Sequence, residues 1–223
     1  MEFSRVVSLG AVCQVAHQIR RRYGPMSPNP FDWIVTPMNS IGLVLGDDGN
    51  NLGASAFGFG DTAVCASYGL GYYHEFPRSH DRTPIIDHET IAACRRKLSA
   101  KYRGLSKKLS DGEPTLFVRF LGSHAHAIPE PSITDHFRPS EIDVMVNALE
   151  TRFPGLPFHV ALVGLAGHSD LSPHLVSDKV SINIVDRYEH WHGDDASWDR
   201  VFDRYVVQDR HATQPTEHEY LYA

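Results

Sequence analysis

Residues 3–23 read FSRVVSLGAVCQVAHQIRRRY, and the fold is decided in this stretch. Phe3 to Leu9 has the continuous apolar character of a short buried strand. Gly10 breaks it, and Val12, Ala16, Ile19 and Tyr23 then recur at helical spacing. The unit is strand, tight glycine turn, helix, with Cys13 in the first helical turn. Gly24-Pro25 ends the helix, and the following Ser27-Pro28-Asn29-Pro30 is loop chemistry.

Working outward, Phe31 to Gly60 gives few firm signals. FDWIV fits a strand or a buried turn, and the glycines after Leu43 suggest loops around short elements. TAVCASYGLGYYHEF (62–76) has room for one or two short strands. From His88 the pattern sharpens, with Ile91, Cys94, Leu98, Tyr102, Leu105 and Leu109 on one face of a long helix. Asp87 is placed to cap it, and Thr115–Leu121 follows as a buried strand. Ser140 with Asp143 fits a capping box ahead of Ile142, Met145, Val146 and Leu149. Phe158–Leu165 and Val180–Asp186 read as further strands, and Trp198, Val201, Phe202 and Tyr205 as a last helix. The expectation is one α/β domain over residues 1–207, with a mixed or mostly parallel sheet flanked by helices on both faces. A polar tail spans 208–223. In such sheets the active site lies at the carboxyl ends of the strands, where the first strand delivers Cys13.

Composition bounds the function. The chain has 223 residues and a formal net charge of -6, which disfavours a nucleic-acid or anionic-membrane surface. No apolar run reaches the roughly 18–20 residues of a membrane-spanning helix, and MEFSRVVSLGAV lacks the marks of a secretory leader. Three cysteines, Cys13, Cys65 and Cys94, make a poor disulfide scaffold. A reduced, cytoplasmic protein is expected. There is no Walker A loop, no GxGxxG after the first strand and no GxSxG, which disfavours a nucleotide kinase, a dinucleotide dehydrogenase and a serine hydrolase.

Cys13 is the leading chemical candidate, because the field and free N–H groups of a helix N-terminus favour a thiolate and can hold an oxyanion. The bland alternative is a small packed side chain, the reading given to Cys94 and Cys65. A thiolate needs an imidazole partner. His74, in GYYHEFP, is the leading base, and His17, one turn beyond Cys13, is its rival. Asp32, Glu75 and Asp87 are open candidates for the orienting acid. His124-x-His126 and His190-x-His192 raise a metal reading that lacks a third ligand at fixed spacing. Arg119 is a charge inside an apolar strand and calls for a buried carboxylate, Asp32 or Asp186, or for a substrate anion. Trp33 and Gln14 flank the nucleophile region and complete the expected substrate-binding set with Arg119.

VVSLGAVCQVAHQIRR, PNPFDWIVTP, YGLGYYHEF and a basic helix running into LFVRF occur in that order from Val6 to Phe120. This series resembles a bacterial domain-of-unknown-function family described as papain-like cysteine peptidases. The resemblance implies Cys13 as nucleophile and His74 as base, with Asp32, from the PFDW box, as a third member. The resulting expectation is a cysteine-nucleophile hydrolase of peptides or amides acting through a thioester. An acyltransferase on a sugar or natural-product precursor, and a non-catalytic module that grips an anionic ligand with Arg119, Arg95 and Arg96, are the alternatives. No cofactor or metal is called for. The expected partner is a small-molecule or peptide substrate, and the oligomeric state stays open.

Overall fold

The computed structural model describes residues 2–120, 137–167 and 177–208. Its chain order is β1 (Glu2–Phe3), β2 (Arg5–Ser8), α1 (Cys13–Tyr23), α2 (Met38–Gly46), β3 (Ala56–Phe59), β4 (Thr62–Cys65) and β5 (Gly71–Tyr72). There follow α3 (His88–Leu109), β6 (Thr115–Phe120), α4 (Pro139–Arg152), β7 (Phe158–Leu165), β8 (Val180–Val185), α5 (Asp195–Phe202) and β9 (Val206–Val207). The central sheet is parallel, in the order β2-β6-β7-β8, with Ser8 opposite Val118 and Phe120 opposite Val163. β1 pairs with β9 in a second parallel pair, and β3-β4-β5 form a small antiparallel sheet.

The two-residue period of β6 sorts the core into two layers. Leu116, Val118 and Phe120 pack with Val12, Val15 and Ile19 of α1 and with Trp198, Val201 and Phe202 of α5. Phe117 packs on the other side with apolar residues of α2, α3 and α4. Helices therefore cover both faces, and the chain is a single α/β domain. The long helix spans His88–Leu109 as its periodicity requires, and Asp87 caps it by accepting from Thr90 N at 2.8 Å. Cys94 and Cys65 are buried in the core.

Several expectations need correction. The first strand is broken at Ser4 into two short pieces. The α4 start is set by Arg138 and by Pro139 at the first helical position, not by a Ser140–Asp143 capping box; proline suits a place whose N–H has no helical partner. Of the two readings of FDWIV, the buried turn is the one observed, joined to the antiparallel sheet by a bridge between Val35 and Gly71. The short elements left unplaced in the glycine-containing stretch are α2 and β3. His124, His126 and the tail beyond Gln208 lie outside the described residues.

Trp198 is fully buried where α5 meets the sheet, its ring 5.7 Å from those of Phe120 and Phe202. Trp198→Ala is expected to lower unfolding free energy by about 3–5 kcal/mol in urea titrations. Ile184→Ala, on a half-exposed side chain of β8, should stay within about 0.5 kcal/mol of the parent.

Candidate functional site

The carboxyl ends of β2 and β6 meet at the segment Leu9–Cys13, which turns the chain from sheet into helix. Gly10 and Ala11 have φ of 72° and 29°, consecutive left-handed conformations that reverse the chain within two residues. Gly10 is required twice over, because a Cβ there would lie 2.8 Å from Thr36 Oγ1. The elbow is fastened on both sides. Leu9 N donates to Val118 O (2.8 Å), Phe120 N to Gly10 O (3.1 Å) and Thr36 N to Ala11 O (2.8 Å). Arg119 Nη1 donates to Leu9 O at 3.0 Å.

Cys13 is the first residue of α1. Val12 caps the helix without a side-chain hydrogen bond, and no acidic residue occupies the first turn. The helix-start N–H groups are thus unclaimed by any cap. The thiol is half-buried, and that burial pushes its pKa up to about 11, against the lowering effect of its own backbone N–H and with a further upward push from the Asp32 charge. The thiolate expected from helix position alone does not form at rest at neutral pH, since desolvation outweighs the field of one helix end.

Asp32 is buried in the PFDW turn. Its carboxylate accepts from Asn29 N (3.0 Å) and Asn29 Nδ2 (2.9 Å). Burial pushes its pKa up to about 6, partly offset by the Asn29 backbone bond and by the charges of Arg20 and Lys101. Asp32 also lines a cavity of about 400 Å³ rimmed by Arg5, Arg20, Lys107 and Lys108. His74 is exposed, 4.9 Å ring to ring from Tyr73, with Arg78, Glu75 and Lys97 as its charged neighbours. No hydrogen bond joins it to Cys13 among the described residues. Lys101, bonded to Glu75 at 3.3 Å, bridges the His74 neighbourhood to Asp32 electrostatically. Asp87 is occupied as a helix cap.

Comparison of the chain with protein-family models, curated proteins and solved structures gives no match. The site therefore has to be read from its own chemistry.

The substrate-binding candidates divide. Trp33, at φ 62°, lies with its ring under the Arg20 guanidinium (5.3 Å) and 6.2 Å from Trp191. Gln14 is buried, and its amide oxygen accepts from Trp198 Nε1 (3.1 Å) and Gly193 N (3.2 Å), so it clamps the loop after β8 instead of facing a ligand. Arg119 is fully buried and, among the described residues, has no carboxylate bonded to it. Asp32 is held by Asn29 and Asp186 by Ser197 and Arg200, while Nε and Nη2 of Arg119 have no partner among the described residues. Arg95 lines a separate cavity of about 600 Å³ with Arg103 and Arg152, away from Arg119.

A ring cluster borders α1. His17 meets Trp191 (5.1 Å) and His192 (5.6 Å), and His190 stacks on His192 at 5.5 Å. Ligand atoms of His17, His192 and Asp195 lie within 4.8 Å of one another. His190 is not in that set, so the two histidines of the His-x-His pair are not brought together as ligands of one ion.

A carboxyl whose folded pKa is raised stabilises the fold below its unfolded pKa, and that contribution is lost as pH rises through the folded value. For Asp32 the window is from about pH 4 to about 6. Wild type is expected to lose on the order of 2 kcal/mol relative to Asp32→Asn over that window, read from urea unfolding at pH 4.5 and pH 7. Parallel pH curves for the two proteins would contradict the burial assigned to this carboxyl.

Proposed function

We propose that the protein is a cysteine-nucleophile enzyme of acyl transfer or hydrolysis, with Cys13 attacking and a thioester as intermediate. The observation that carries this reading is the elbow. Two consecutive left-handed residues present a partly accessible thiol at a helix start whose N–H groups no side chain caps. A carbonyl carbon within reach of the Cys13 sulfur would place its oxygen against those N–H groups, which stabilise the developing oxyanion.

The proton must leave sulfur as the C–S bond forms, because the resting thiol is protonated. Asp32 is the base we assign: a buried carboxylate with a pKa of about 6 whose charge reaches the thiol. It accepts the thiol proton and returns it to the departing alcohol or amine, and a second nucleophile then resolves the thioester. Water in that role gives hydrolysis and an acceptor hydroxyl gives transfer. Arg119 acts through Leu9 O by holding the elbow, so it is a positioning residue. His74 belongs to the charged surround of Lys101 and not to the reacting set. Resemblance to the papain-like family supports the nucleophile, while the parallel sheet suits general acyl chemistry as well as peptide cleavage. The raised thiol pKa is the one observation favouring a binding module without catalysis.

A p-nitrophenyl acyl ester distinguishes these readings. Wild type is expected to release p-nitrophenolate in a burst and gain one acyl mass on Cys13, and Cys13→Ala should do neither. Asp32→Asn should slow acylation by about 100-fold or more, against less than tenfold for His74→Ala. The wild-type rate should rise from pH 5 to 7 as Asp32 ionises. A Cys13→Ala protein that acylates equally well, or a wild type with no acyl adduct, would favour the binding module.

A further inference from the structure

We propose that His17, His192 and Asp195 form a binding site for one divalent transition-metal ion of the zinc class, with an open coordination position facing the Trp191 ring. The three side chains come from α1, the loop after β8 and the start of α5, and their ligand atoms already converge within 4.8 Å. A tetrahedral ion with bonds of about 2.0–2.1 Å sets its ligand atoms about 3.4 Å apart, so closure takes side-chain adjustment of about an ångström.

The surrounding bonds prepare each ligand. His192 Nδ1 lies 2.9 Å from Gly193 O, which fixes the proton there and leaves the Nε2 lone pair for a metal. Gln18, fully buried, donates through Nε2 both to His192 O (2.7 Å) and to Asp195 Oδ1 (2.8 Å), tying two ligand-bearing residues to the helix that carries the third. Arg21 Nε also faces Asp195 Oδ1 at 3.2 Å, while Oδ2 accepts no hydrogen bond among the described residues. Two neutral imidazoles and one carboxylate leave a divalent ion with a net single positive charge. Arg21 opposes that charge, and Asp199, bonded to Arg21 at 2.6 Å, offsets the opposition. Three protein ligands with a fourth position free is the pattern of an ion that binds water or substrate, not of a closed structural site. The ring of Trp191, 5.1 Å from that of His17 and 59% exposed as a residue, stands beside that position as a wall accessible to a ligand.

The site does not depend on the thiol chemistry, and the test keeps the two apart. Cobalt(II) is titrated into the full-length, chelator-treated protein and followed by its visible d–d bands and by calorimetry. One equivalent is expected to bind. His17→Ala, His192→Ala and Asp195→Asn should each weaken it by at least tenfold with far-ultraviolet circular dichroism unchanged. His190→Ala and Cys13→Ala should bind as the parent does. Absence of a one-to-one complex overturns the proposal, as does affinity indifferent to Asp195→Asn, the substitution least disturbing to the fold. Loss of binding in Cys13→Ala, with a sulfur-to-cobalt charge-transfer band in the parent, would also overturn it by placing the ion on the thiol.

Discussion

A fully buried guanidinium under the elbow is the constraint on which the site depends. Arg119 sits in the middle of the parallel sheet and, among the described residues, has one hydrogen bond, to Leu9 O, and two nitrogens without partners. Burial presses its pKa down to about 9, with the Glu141 charge the one upward influence, so it stays charged at neutral pH. An arrangement of this kind costs several kcal/mol. What it secures is the carbonyl one residue before the left-handed pair Gly10–Ala11. With Phe120 N and Thr36 N bonded to the next two carbonyls, the elbow cannot relax without breaking β6 or the bridge to the antiparallel sheet.

The helix that leaves the elbow carries the consequence outward. α1 buries two glutamines, an unusual choice for a core-facing side. Gln14 accepts from the loop at Gly193 and from Trp198, and Gln18 donates to His192 and Asp195. Gly193 is bound to its identity by this contact, since a Cβ there would collide with the Gln14 amide group. The loop after β8, at the far edge of the sheet from β2, is thereby fixed against α1. The rings of Trp191 and His192 reach the neighbourhood of α1 through side-chain amides, not through sheet adjacency.

The legible parts of the sequence were those in which one period dominates. β6, β7, β8 and the long α3 show unbroken apolar runs or a single apolar face, and the elbow shows its glycine. α2 was hidden because Met38–Gly46 is apolar on most sides and holds two glycines, so no face stands out. β3 was hidden because its residues are largely exposed and also interrupted by glycine. Asp32 was visible as a charge between aromatics. Its electrostatic coupling to Cys13 was not, because that arises from tertiary folding across eighteen intervening positions. The pairing of His17 with His192 and Asp195 crosses nearly the whole chain, and no local spacing encodes it. The one signal available was the pair of glutamines on an otherwise apolar helix face.

The protonation of Cys13 follows from competing electrostatic terms, and this decides what kind of nucleophile it can be. A helix end contributes about half a positive charge, whereas a half-buried sulfur loses most of the hydration that would support an anion, and a carboxylate stands nearby. Desolvation and the carboxylate act together against a standing thiolate, so in the proposed reaction deprotonation accompanies attack. In that proposal the same carboxylate that disfavours the anion at rest would receive its proton, and once protonated it would no longer oppose the thiolate. A divalent ion on His17 would act on the sulfur in the opposite sense to Asp32, from about one helical turn away, where charges still interact appreciably in a partly buried setting. The two proposed features then share α1 as a common scaffold: Asp32 would set where the proton goes, and the cation would set how much negative charge the helix start can hold.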